Sequence, residues 1–291
     1  MLIAQIRGGL GNQFFTYAFA YALAKKNNVD LLLDDYRYVT TYTLREYKLI
    51  KYNTTYPELF IRQAPKTNSI SQVIYKIKNR LLRKLKYHTV NLDEKQEFCC
   101  QDIIINRDKN YYLRGYWQAH NYFDEFRNEL ISEFSLKKVR KEVEAKANQI
   151  IENQCCAIHV RHGDYAFFKG GKCLPFSYYK AGIDEMLKIN PDMHFIIFSD
   201  DIDYCKSKFA YLRNVEYGTT GNLTDEEELF LMSCCKYFII ANSSFSWWAA
   251  FLSNQQGGKV ICPVVDMWKE TFYLPEWKKI HTEIDNEQKE A

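Results

Sequence analysis

Residues 159–165 (HVRHGDY) gather one guanidinium, two imidazoles and a carboxylate. They follow Cys155-Cys156-Ala157-Ile158, a short apolar run that predicts a buried strand. In an open α/β sheet, ligands sit just past the carboxyl ends of the strands. Arg161 at such a place suits a phosphate, because its rigid donor fork matches phosphate oxygens and keeps its charge. A charged surface turn would use the same residue types.

Three further stretches could carry chemistry. Asn242-Ser243-Ser244-Phe245-Ser246 follows an apolar run and opens a helix, where hydroxyls and free N–H groups make an anion site. Plain N-capping needs one serine, and this turn has three. Ser199-Asp200-Asp201-Ile202-Asp203 contains an Asp-x-Asp that could hold a divalent metal. Asp203 reads better as a helix-dipole acid. Asp200, at a strand end, could accept donors from a guanine edge. Gly8-Gly9-Leu10-Gly11-Asn12 sits between a strand and a helix, where glycines let a ligand approach the backbone. It is not a dinucleotide fingerprint, because the third glycine would fall at Phe14.

The elements that must position these residues alternate strand and helix. Leu2–Ile6 predicts a strand, Phe14 to about Asn27 a helix, and Val29–Leu33 a second strand, which opens a parallel sheet. Tyr111–Trp117 reads as a strand and Gln118–Phe134 as a helix. Lys137–Asn153 is a charged amphipathic helix bridging two halves. Strands are then predicted near 155–161, 194–198, 215, 237–241 and 259–262. Helices are predicted over Phe176–Ile189, after Asp201, from the capping box at Thr224 to Cys235, and after Ser243. The domains expected are 1–135, a linking helix at 136–149, 150–275, and a tail at 276–291. Residues 36–70 carry no clear pattern.

The bulk numbers exclude several classes. A net charge of +3 over 291 residues gives no reason to expect nucleic acid as a partner. The nine cysteines are odd in number, include adjacent pairs, and lack Cys-x-x-Cys spacing. They predict buried free thiols in a reducing compartment. No leader pattern opens the chain and no stretch reaches a membrane span, so a cytoplasmic protein is expected. Ile74–His88 carries six Lys or Arg and no acid. It reads as a solvated helix, or as a patch resting on anionic lipid at the inner face of the membrane. The 22 Tyr and 19 Phe suit sugar or base recognition and equally suit a core.

At these residues the chain resembles the α-1,2-fucosyltransferases, glycosyltransferase family 11. IRGGLGNQFFTYAFAYALA, LRGYWQAHNYF, HVRHGDY and LFLMSCCKYFIIANSSFSWWAAFL resemble four blocks of that family in order. The resemblance implies an α/β protein of GT-B architecture, with two Rossmann-like domains facing across a cleft. It implies inverting transfer of L-fucose from GDP-β-L-fucose to the 2-hydroxyl of a galactoside, without metal or other cofactor. Arg161 would hold the β-phosphate, His159 would line the nucleotide pocket, and Ser243 and Ser244 would lie near the diphosphate. From their own places after strands, Asp200 and Asn242 are further donor-site candidates. The loop of Gly9, Gly11 and Asn12 would face the reacting centre from the N-terminal, acceptor-side domain. The family motif has a second arginine where this chain has His162. Asp164 has two roles open to it, general base or orienting partner of Arg161. Expected partners are GDP-fucose and a galactose-containing acceptor, lipid-linked if the product is a surface glycan unit. Two rival readings are a Rossmann-fold oxidoreductase, resting on the glycine loop and Asp34, and a non-catalytic carbohydrate-binding protein, resting on the aromatic surplus.

Overall fold

The computed structural model describes residues 1–40, 45–59, 73, 77, 88–91, 103, 105–163, 165, 173–219, 222–266 and 268–282. The chain divides into two compact units, Met1–Lys137 and Lys138–Ala291. Each is an α/β unit on a parallel sheet. Among the described residues, no helix is long and apolar enough to cross a membrane.

In the first unit, β1 (Leu2–Gln5), β2 (Leu31–Asp34), β3 (His88–Asn91) and β4 (Tyr111–Arg114) form a sheet in the order β2-β1-β4-β3. The helix between β1 and β2, α1 (Leu10–Asn27), buries 14 of its 18 residues, so it is apolar nearly all round rather than amphipathic. Asn28, in the left-handed region, closes it. Much of the aromatic surplus is core here. Phe14 stacks on Phe134 and Phe19 on Trp117, each pair at 3.9 Å between ring centroids. A short helix, α2 (Tyr36–Thr40), follows β2.

Residues 118–134 are not one helix. Two 3-10 turns, at His120–Tyr122 and Asp124–Phe126, precede α3 (Arg127–Glu133). Burying Ala119, Tyr122 and Phe123 together suits tight turns better than a continuous helical face. The basic segment Ile74–His88 lies outside the described residues except for Ile77 and His88, and His88 opens a strand.

The second unit adds β5 (Cys156–Val160), β6 (Phe195–Ser199), β7 (Val215–Tyr217), β8 (Tyr237–Ile239), β9 (Lys259–Val264) and β10 (Lys278–His281). All pair in parallel, in the order β10-β9-β8-β5-β6-β7. Every residue of β5 is buried, as a central strand covered on both faces requires. The helices are α4 (Lys141–Glu152), α5 (Phe176–Ile189), α6 (Ile202–Phe209), α7 (Asp225–Ser233) and α8 (Ser244–Leu252).

Two boundaries differ from expectation. The expected linking helix, α4, belongs to the second unit. Arg140, just before it, grips Glu227 of α7 through Nε–Oε1 at 2.6 Å and Nη2–Oε2 at 2.8 Å. Glu227 also completes the predicted capping box with Thr224. The expected tail at 276–291 contains β10, which pairs with β9 at the sheet edge.

Candidate functional site

The topology itself marks a crevice. From β5 the chain winds one way through β6 and β7, then crosses back to β8 on the other side of β5. The switch point therefore lies between β5 and β8, and ligands of open α/β sheets bind past the carboxyl ends there. Arg161 follows β5, and Asn242-Ser243-Ser244 follows β8 within three residues. Two of the stretches singled out in the sequence thus meet at one place.

Strand register explains the pairing that shapes the site. Val160 of β5 is opposite Ser199 of β6, so Arg161 emerges beside Asp200. Arg161 Nη1 lies 3.1 Å from Asp200 Oδ2. Asp200 Oδ1 accepts the backbone N–H groups of His162 and Gly163 at 2.9 and 3.0 Å. Burial opposes ionisation of Asp200, but Arg161 and these two N–H groups prevail and hold its carboxyl below the ordinary aspartate value. Gly163 suits a close approach. A Cβ there would stand 3.1 Å from Asp200 Cγ and Oδ2. Asp200 is thus the strut of the Arg161 loop, a role the sequence does not disclose.

His162 points away from the chemistry of Arg161. Its Nδ1 is 2.8 Å from Asp201 Oδ2, and its ring stacks on Tyr204 at 3.9 Å. Asp201 is also the N-cap of α6, accepting from Tyr204 N at 3.0 Å. The position where the family motif has arginine therefore ties the loop to a helix start. Asp203 lies in the first turn of α6, exposed, beside Lys206. Among the described residues, no group of three or more His, Cys, Asp and Glu is gathered for a metal ion.

His159 is buried, its ring 5.7 Å from that of Phe245. Burial, then the positive charge of Arg161, lowers its pKa to about 3, so the ring is neutral at physiological pH. Among the described residues its Nδ1 has no hydrogen-bond partner. A buried orphan nitrogen two residues from Arg161 is a polar group that a ligand can satisfy.

The three serines after β8 divide their work. Ser243 caps α8, its Oγ accepting from Phe245 N at 3.3 Å. Ser246 is buried, its Oγ donating to Ser243 O. Ser244 is half-buried in the first turn, and its hydroxyl takes no hydrogen bond among the described residues. Asn242 is buried, and its carbonyl accepts from Tyr165 Oη at 3.3 Å. The Tyr165 ring in turn lies 5.3 Å from the Arg161 guanidinium. Trp247 and Trp248 are both core, with no exposed surface. Asp164 lies outside the described residues, as does the loop 166–172.

Sequence reasoning missed Thr219 and Glu228. Thr219 Oγ1 accepts from Ser199 N at 3.0 Å and donates to Glu228 Oε1. Burial raises the Glu228 pKa, against the Thr219 hydrogen bond and the attraction of Arg161. In the acid-rich run Asp225–Glu228, Glu226 and Glu227 are buried and Glu228 is half-buried, so nothing in the run itself singles out Glu228 as the partner of Thr219.

In the first unit, Gly9 is the N-cap of α1, Gly11 is buried in its first turn, and Asn12 is half-buried. Gly8 has φ +78°, and its carbonyl accepts from Tyr38 Oη at 2.8 Å and Gln13 Nε2 at 3.1 Å. Asp34, the acid that the oxidoreductase reading needs, is fully buried and bonded to Tyr112 Oη and Tyr36 N. It has no free edge for a ribose.

A guanidinium and a helix N-terminus that follow adjacent strands at a switch point define the class, an α/β protein with anion-binding groups at its strand ends. The chain belongs to glycosyl transferase family 11, whose model matches residues 1–281, and it is a glycosyltransferase. Each of its two units is an α/β unit on a parallel sheet. The chain is 31% identical to an α-1,2-colitosyltransferase of Escherichia coli, over 90% of this chain and 91% of that one. It is 30% identical to the O-antigen biosynthesis glycosyltransferase WbnK of Escherichia coli, over 89% and 92%. It is 22% identical to the galactoside 2-α-L-fucosyltransferase Sec1 of Mus musculus, over 98% and 75%.

Proposed function

We propose that this protein transfers L-fucose from GDP-β-L-fucose to the 2-hydroxyl of a galactoside, with inversion and without a metal. The observation that carries this reading is the switch point between β5 and β8, where Arg161, braced by Asp200, follows one strand and the Ser243–Ser244 helix start follows the other. In this reading Arg161 takes the charge that develops on the departing diphosphate, and the first turn of α8 with the Ser244 hydroxyl takes more of it. Neutral His159 lends its orphan nitrogen to the nucleotide. Asp200 acts through Arg161 rather than on a guanine edge. The acceptor hydroxyl loses its proton to a base as it attacks, and Asp164 is the candidate. Cysteines 155, 156, 173, 205, 234, 235 and 262 are free thiols, which supports a reducing, cytoplasmic setting. The name of one bacterial relative, an O-antigen biosynthesis glycosyltransferase, supports a role in surface glycan synthesis.

The test is release of GDP from GDP-fucose in chelator, with lactose or Galβ1-3GalNAc as acceptor. Turnover is expected with wild type and at least 100-fold loss in Arg161→Ala. Full activity in that variant defeats the mechanism. The colitosyltransferase relative favours a second donor, colitose, which is fucose without its 3-hydroxyl. Competition between the two GDP-sugars decides between them.

A further inference from the structure

The first unit has a switch point of its own. The chain runs from β1 out to β2, then returns through β3 to β4 on the other side of β1. A crevice is expected between the carboxyl ends of β1 and β4. Arg7–Gly9 follows one strand and Gly115–Gln118 the other.

The residues after β4 are held in an uncommon conformation. Trp117 has φ +57°, in the left-handed region that a bulky side chain disfavours. Its ring is fully buried and stacked on Phe19, while its neighbours Tyr116 and Gln118 are only half-buried. Both neighbours reach across to the β1 loop. The Tyr116 ring lies 4.0 Å from the Arg7 guanidinium, and Gln118 Nε2 donates to Asn12 Oδ1 at 2.7 Å. That bond leaves Gln118 Oε1 and Asn12 Nδ2 with no other hydrogen bond among the described residues. An amide acceptor and an amide donor thus lie on two side chains joined by one hydrogen bond.

We propose that Tyr116, Gln118 and Asn12 form the subsite that reads a ring hydroxyl of the neutral sugar acceptor, with Trp117 as the positioning residue. This rests on the glycosyl-transfer reading above. A hydroxyl donates one hydrogen bond and accepts others, so it matches the open Oε1 and Nδ2 together. A phosphate, which only accepts, would leave Oε1 unmatched. The buried Trp117 stack and its left-handed backbone keep Tyr116 and Gln118 on the crevice side.

The experiment uses the full chain and a set of monodeoxy β-galactosides lacking the 3-, 4- or 6-hydroxyl. Wild type is expected to discriminate against one member by about tenfold in kcat/KM. Gln118→Ala is expected to treat that member and the parent sugar alike, with acceptor KM raised about tenfold and calorimetric GDP affinity within about twofold of wild type. Tyr116→Ala is expected to raise acceptor KM as well. A mere loss of structure would weaken all acceptors equally. Retained discrimination in Gln118→Ala, or an unchanged acceptor KM in both variants, overturns the proposal. If wild type turns over no GDP-fucose, the donor reading has failed by itself. The same sugar set, read by saturation-transfer NMR with GDP bound, then decides the subsite by the same two outcomes.

Discussion

Asp200 holds Arg161 Nη1 at 3.1 Å with one carboxylate oxygen and two backbone N–H groups of the Arg161 loop with the other. One side chain therefore fixes both the direction of the cation and the path of the loop. Asp200→Asn keeps an oxygen for the N–H groups but turns an N–H toward Arg161. The expected result is a donor KM raised about tenfold or more and a stability loss of ~2 kcal/mol at neutral pH, since the pair is largely buried. The Asp200 pKa is depressed in the folded state, so its contribution is present above the ordinary aspartate value of about 3.9 and lost as pH falls through the folded value. Denaturation of wild type and Asp200→Asn from pH 7 downward should show the stability gap closing below about pH 4.

Much of this site was legible because apolar runs end where it begins. Cys156–Val160 declares a buried strand, so Arg161 at its end was a visible candidate, as was the serine turn past Tyr237–Ile239. Asp200 was visible as an acid but not as a strut, because that role depends on the β5/β6 register. Glu228 was hidden by its acidic neighbours, and only its bond with Thr219 sets it apart from the buried Glu226 and Glu227. β3 was missed for a related reason. His88–Asn91 is short and polar, and its pairing with β4, not its own composition, makes it a strand.

Two glycines are held by geometry that a methyl group would upset. At Gly163 the added Cβ meets the Asp200 carboxylate, which three partners keep in place. At Gly8 the left-handed φ of +78° combines with Cβ contacts of 3.0 Å to Asn12 Cβ and Nδ2. Gly8→Ala should cost about 1–3 kcal/mol and lower the melting temperature, whereas Gly163→Ala should cost less. Gly163→Ala should instead weaken GDP binding, measured by calorimetry, because it displaces the partner of Arg161.

His162 gives a sharp comparison with its neighbour. Its hydrogen bond to Asp201 and its stack on Tyr204 make it an anchor of the loop. His162→Ala should destabilise by about 1–2 kcal/mol and lower kcat/KM by less than about tenfold. Arg161→Ala should lose far more activity. Equal losses in the two variants would place His162 on the diphosphate.

Glu228 sets a pH dependence of opposite sign to that of Asp200. Its folded pKa is raised, chiefly by burial. The native state therefore holds a proton that the unfolded chain releases near the ordinary glutamate value of about 4.3. Stability falls as pH climbs from there through the raised folded value. Glu228→Gln removes the titration yet keeps an oxygen to accept from Thr219 Oγ1, which must still receive Ser199 N. Thermal melts of wild type and Glu228→Gln over pH 5–8 should diverge, with the variant gaining on wild type as pH rises. A constant difference across that range would mean that the half-buried carboxyl is ionised throughout, and that Arg161 and Thr219 outweigh its desolvation.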